Sequence, residues 1–319
     1  MKYSKSLCLL VGFTFIFVLP FTVFGQQKVD VKFMTGPMGG SWYPLGGAIA
    51  ELIQKNIPGT MVTVAPGGGM ANVVGVEGGK ADLGFGNSPT SADAVFGKAP
   101  FKAKAKNVRQ LANLYPQYYQ MFVLEESGIK TVADLKGKTI CPGPKGHTGE
   151  LVSRQILEVY GLSYNDMAKV QHVSYTDSIS LIKDGHAHAW LPGTTIPASA
   201  GLDLASTKKI RLLALPDDKI KAMQKFNVGY LKRIIPKGTY PGVDYDVATI
   251  GYFTHMIVSA KLPDAVVYQI TKVIAENLDR LTQVVSAMKG VTVEDLALDI
   301  GVPFHPGALK YYKEKGVMK

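Results

Sequence analysis

Short apolar runs alternate along this chain with glycine-rich turns and with stretches whose apolar residues recur every three to four positions. The first run predicts a strand over 31–35. A helix follows over 45–56, with Leu45, Ile49, Leu52 and Ile53 on one face. Pro44 suits its first position, where a missing N–H costs nothing. Further strands are predicted over 61–65 and 81–85, with a short helix over 71–77 between them. The same order returns later: a strand over 138–141, helices over 150–160 and 178–183, and a strand over 187–191. Gly161 stops the first of these helices. Gly79-Lys80-Ala81-Asp82-Leu83-Gly84-Phe85 aligns with Gly185-His186-Ala187-His188-Ala189-Trp190-Leu191. Each reads as a helix end, a turn and a buried strand, which points to two similarly built α/β units.

Two long apolar stretches, 111–124 and 247–258, read as strands that cross between those units. They make the first unit discontinuous. The expected organisation is a first lobe over 26–117 and 247–319 and a second over 118–246. A helix is expected over 263–281, with Val266, Ile270, Val273 and Ile274 as its apolar stripe.

Four loops fall at the carboxyl ends of predicted strands: 36–41, 66–69, 87–91 and 143–149. In open α/β sheets ligands bind in that crevice. Glycine lets backbone approach a ligand, and a helix N-terminus behind such a loop offers N–H groups to an anion. The loop Gly36-Pro37-Met38-Gly39-Gly40-Ser41 runs into two large aromatics, Trp42 and Tyr43, placed to cover the apolar part of a ligand. Neither nucleotide fingerprint is present: the glycine spacing is wrong for a dinucleotide turn, and no Gly-Lys-Ser/Thr occurs. His186 and His188 lack carboxylate or cysteine neighbours and read as strand-end residues. No metal or cofactor is expected. No nucleophile–base order or carboxylate pair stands out, so no catalytic residue is proposed. His147, inside a glycine loop, is a candidate ligand contact.

The composition fits a folded exported protein. Of 319 residues, 46% are hydrophobic and 19% charged, enough for a large core. Residues 1–25 read as a signal peptide, with Lys2 and Lys5 before an apolar run. An uncleaved anchor is the alternative. Cleavage would remove Cys8, leaving Cys141 as the sole cysteine and no intrachain disulfide. It would also take the formal charge from +10 to +8, since two lysines leave. Basic residues are scattered and only five are arginine, so nucleic acid is a poor fit. Excess positive charge would draw small anions toward a cleft.

A resemblance covers essentially all of the chain after residue 25. Met34-Thr35-Gly36-Pro37-Met38-Gly39-Gly40-Ser41-Trp42-Tyr43-Pro44-Leu45-Gly46 resembles the opening motif of the TAXI family of TRAP-transporter solute-binding proteins. So do Gly67-Gly68-Gly69-Met70-Ala71-Asn72, Leu111-Ala112-Asn113-Leu114-Tyr115-Pro116 and Pro303-Phe304-His305-Pro306-Gly307-Ala308. The resemblance implies a type II periplasmic binding-protein fold of two lobes joined by a hinge with two crossover strands. It implies a receptor that captures a small organic acid or amino acid in the interlobe cleft. Delivery would be to the small and large membrane subunits of a TRAP permease. Binding residues carry over onto Ser41, Trp42, Tyr43, Gly69, Asn72, Asn87 and Ser88. In the second lobe they fall on Lys145, His147, Thr148, Thr194 and Thr195. Gly146-His147-Thr148-Gly149 departs from the usual Gly-Ser-Gly-Thr, and His188 stands where the family usually has Asp. No arginine lies in a predicted loop, so a carboxylate would be met by N–H groups, hydroxyls, Lys145 and His147. A monomer is expected. A sensor input for a chemoreceptor or histidine kinase, or an exported enzyme, would have the same fold.

Overall fold

The computed structural model describes residues 29–318. The expected signal peptide lies outside them. Among the described residues no helix is long and apolar enough to cross a membrane.

The chain opens with β1 (Val29–Met34), α1 (Trp42–Asn56), β2 (Thr60–Ala65), α2 (Gly69–Glu77), β3 (Leu83–Asn87), α3 (Ser88–Phe96) and β4 (Val108–Tyr119). The middle runs β5 (Phe122–Leu124), β6 (Thr139–Cys141), α4 (Thr148–Val159), β7 (Lys169–Val170), α5 (Tyr175–Lys183), β8 (Ala189–Trp190) and β9 (Gly193–Thr194). It continues through α6 (Ser199–Thr207), β10 (Ile210–Leu212), α7 (Asp217–Phe226) and β11 (Leu231–Ile235). The last part holds β12 (Val247–Ser259), α8 (Asp264–Ala275), α9 (Leu278–Val284), α10 (Val293–Leu296) and α11 (Pro306–Glu314).

Two sheets result. The first has the order β2-β1-β3-β12-β4-β9, with β11 also paired to β12. The second has the order β10-β5-β8-β6-β7. β1 is parallel to β2 and β3, whereas β12 is antiparallel to β3 and β4. In β1 the side chains alternate: Val31 and Phe33 are buried, while Asp30 and Lys32 face water. β3 is covered on both faces, and all five of its residues are buried. The first core joins Phe33, Leu45, Ile49, Phe85 and Met256. A separate core under the second sheet joins Val123, Ile140, Val152, Ile156 and Met223.

The aligned passages are built alike. Gly79 and Gly185 both sit at left-handed φ, +71° and +75°, where glycine carries no side-chain clash. After each, two successive amides turn back to one helix carbonyl: Lys80 and Ala81 donate to Gly75, and His186 and Ala187 donate to Leu181.

Three expectations change. The stretch 111–124 is not one strand: β4 ends at Tyr119, and β5 starts the other sheet at Phe122. The corner is pinned by Gln120, whose Nε2 donates to the Thr195 carbonyl at 3.0 Å while its Oε1 accepts from Tyr240 at 2.5 Å. The helix over 263–281 breaks at Asn277, whose Nδ2 takes the Val273 carbonyl at 2.7 Å, competing with the helix ladder. The loop over 87–91 is instead the start of α3, with Pro89 in its first turn.

Candidate functional site

Four helices begin at one place. Ser41, Gly68, Asn87 and His147 are the residues just before α1, α2, α3 and α4, and all four line a single cavity of about 20 Å³. The first turn of any helix leaves N–H groups without intrahelical partners and carries partial positive charge. Ser and Asn commonly cap such ends with their side chains. Here neither Ser41 nor Asn87 does so, and His147 does not either. The Ser41 hydroxyl instead meets the Tyr115 hydroxyl at 3.3 Å.

The remaining lining comes from strands and from the far wall. Gln117 enters from β4, Gly193 and Thr194 from β9, and Tyr175 from the start of α5. Tyr175 donates its hydroxyl to the Gly193 carbonyl at 3.4 Å. Asn87 Oδ1 and Gln117 Oε1 are buried and accept no hydrogen bond. Their residues are only 3% and 2% exposed, so an unmade bond there is costly. Among the described residues no Lys, Arg, Asp or Glu lines this space. Burial pushes the His147 imidazole down to about 4, so the ring is neutral at pH 7.

The two walls touch across the cavity. The Ala71 amide donates to the Gly146 carbonyl at 2.8 Å, Thr90 and Thr148 hydroxyls lie 3.1 Å apart, and Ser199 donates to the Gly39 carbonyl at 3.2 Å. A side chain at Gly68 would run into the His147 ring, and one at Gly69 into the Thr148 hydroxyl. The close approach is possible because both positions lack a Cβ.

Of the expected site residues, Ser41, Trp42, Gly69, Asn87, His147, Thr148 and Thr194 line the cavity. Five lie outside its lining. Tyr43 is 41% exposed. Successive helix residues point about 100° apart, and Trp42 has taken the inward direction, its ring tilted against Phe85 with centres 5.4 Å apart and its Nε1 donating to Thr254 at 3.1 Å. Lys145 is exposed at the outer turn of its loop. Asn72 is a scaffold residue: its Nδ2 reaches the Met34, Thr35 and Phe85 carbonyls, and its Oδ1 accepts the Gly68 amide at 2.9 Å. Ser88 accepts the Phe253 amide at 3.1 Å and faces the opposite side of α3. Thr195 offers its carbonyl to Gln120. His188 is also structural, its Nδ1 accepting the Thr139 amide at 3.2 Å. Gln117, Tyr175 and Gly193 carried no expectation as site residues. A glutamine between aromatics on a buried strand was the available signal for the first.

A model of one family matches residues 33–316, nearly the whole described chain. The chain belongs to the NMT1-like family. Solved structures place this family member among known folds. A Listeria monocytogenes protein assigned to L-cystine ABC transport matches with a TM-score of 0.50 at 15% identity, over 82% of this chain and 97% of its own. A Streptococcus mutans protein from the study of glutathione import via GshT and the cystine ABC importer TcyBC also reaches 0.50, at 12% identity, over 84% and 100%. The mixed α/β architecture with two sheets is thus the fold of solute-binding proteins.

Proposed function

We propose that this protein is an exported solute-binding receptor, not an enzyme, and that its ligand is a small carboxylate bearing a hydroxyl or ammonium group. The observation that carries this is the convergence of four helix N-termini on one uncharged cavity. Those N-termini, with the Ser41 and Thr148 hydroxyls, supply donors for an anion without a cationic side chain. Asn87 Oδ1 and Gln117 Oε1 supply acceptors that need a donor on the ligand. The cavity as it stands holds only ~1–2 water-sized groups, so a hydroxy or amino acid enters only when the walls part.

The lobes are taken as 26–117 with 247–319, and 118–246, moving about β4 and β12. A ligand touching both walls favours the closed arrangement by population shift. Release is to a membrane permease. The sequence motifs favour a TRAP-type permease of the TAXI class. The likeness to proteins of cystine import favours an ABC importer as the second reading. Periplasmic location follows from the expected signal peptide.

Native mass spectrometry of the protein purified from its exported compartment tests the reading. The expected result is a bound mass that releases a small hydroxy or amino acid unchanged. A chemically converted ligand would support the enzyme alternative, and an uncharged ligand would refute the anion site.

A further inference from the structure

A second, larger cavity of about 460 Å³ opens on the other side of α3. Its size is that of small-molecule sites. One wall is α3 with Phe96, packed on the first sheet; the other is the end of α7 with Phe226 and Val228, packed against α4 of the second core. Phe253 and Leu298 complete the apolar lining. Phe96 is 53% and Val228 88% exposed. Large apolar side chains gathered in one concave, water-facing place mark a binding surface.

The polar groups at this cavity are unequal. Asp93 accepts Asn227 Nδ2 at 2.7 Å, and burial raises its carboxyl above the ordinary range. Asp299 accepts the Gly301 amide at 2.8 Å. Both acids accept hydrogen bonds from the protein, and the Lys98 charge favours the ionised form of Asp93. Lys98 and Lys225 form no ion pair among the described residues. The Lys98 ammonium stands 5.8 Å from the centre of the Phe96 ring. An apolar hollow with the Lys225 ammonium outside any ion pair complements a molecule with an apolar body and one anionic head.

We infer that this cavity is a second binding site, for an amphipathic monocarboxylate with a medium-length chain or an aromatic body. Such an occupant lies against α3 and α7 at once and is separate from the small polar cavity. The inference does not depend on what the polar cavity binds.

Calorimetric titration of the whole purified protein with decanoate, and with decanol as its uncharged counterpart, tests it. Decanoate should bind saturably, one per chain. Val228→Asp, at an already exposed position, should weaken decanoate by about tenfold or more by placing a charge in the apolar hollow. Lys98→Gln with Lys225→Gln should weaken decanoate about tenfold while changing decanol less than about twofold. Circular dichroism should show both variants folded. Absence of saturable binding up to about 1 mM, where even a weak site would register, overturns the inference. So does decanoate binding that Val228→Asp leaves intact.

Discussion

The two cavities flanking α3 differ in size and in the charge of the residues that line them. Asn87 lines one and Ser88, the next residue, lines the other. The polar cavity is about 20 Å³, closed by hydrogen bonds between its walls and edged by four helix starts. The other is about 460 Å³, with Asp93, Lys98, Lys225 and Asp299 among its otherwise apolar lining. Volume alone would choose the second as the principal site. Convergence of four helix starts, with two buried acceptors that lack partners, chooses the first.

The largest expected effect concerns the wall that the cavities share. α3 is tied to β12 by Ser91, whose hydroxyl lies 2.8 Å from His255 Nε2. Burial pushes His255 down to about 3 and His147 down to about 4. Below the unfolded histidine value near 6.5, the unfolded chain gains protons that these buried rings refuse. Stability should therefore fall as pH drops from ~6.5 toward the folded values, by on the order of 3 kcal/mol or more. Thermal unfolding across that range checks this. His255→Gln should flatten the curve, and an unchanged slope would remove His255 from the account.

Next is Gly68→Ala, whose methyl meets the His147 ring across the cavity. Affinity for the native ligand should fall about a hundredfold, on the order of 3 kcal/mol, measured by calorimetry. The ligand-free melting temperature should barely move, because opening relieves the clash. Thr148→Val keeps the shape and removes one donor, so about tenfold should be lost. A loss of the same size at the apolar cavity would blur the contrast between the two sites.

Smallest are two expected non-effects. Lys145→Ala should change affinity less than about twofold, because the side chain is exposed and away from the lining. Affinity for an anion should also be flat between pH 8 and pH 5, because His147 stays neutral there. A rise in affinity as pH falls through ~6.5 would mean that imidazolium contacts the ligand.

These placements show where pattern reading succeeds. The aligned turns at Gly79 and Gly185 were legible because glycine after a helix and before an apolar run has one common use. The glycine loops announced the crevice because close approach demands a missing Cβ, as at Gly68 and Gly69. Side-chain direction was not legible. Trp42 and Tyr43 look equivalent in a string, yet the helix turns one into the core and the other to water. Asn72 is a site residue only by the resemblance; its side chain is spent on the Gly68 amide and on the Thr35 carbonyl, which no local pattern announces. Gln117, Tyr175 and Gly193 reach the cavity only through tertiary pairing, Gly193 by β9 joining β4, and no local pattern carries that information. The start of α3 was hidden because Asn-Ser-Pro signals a turn as readily as a helix start.

The most direct measurement is calorimetric titration of the ligand-stripped protein with small hydroxy and amino acids, each beside its carboxamide. The amide keeps the size and hydrogen-bonding groups while losing the charge. The account predicts that at least one acid binds and that its amide binds about a hundredfold more weakly or not at all. Equal binding of acid and amide, or binding of neither across the series, would contradict an anion site at the meeting of the four helices.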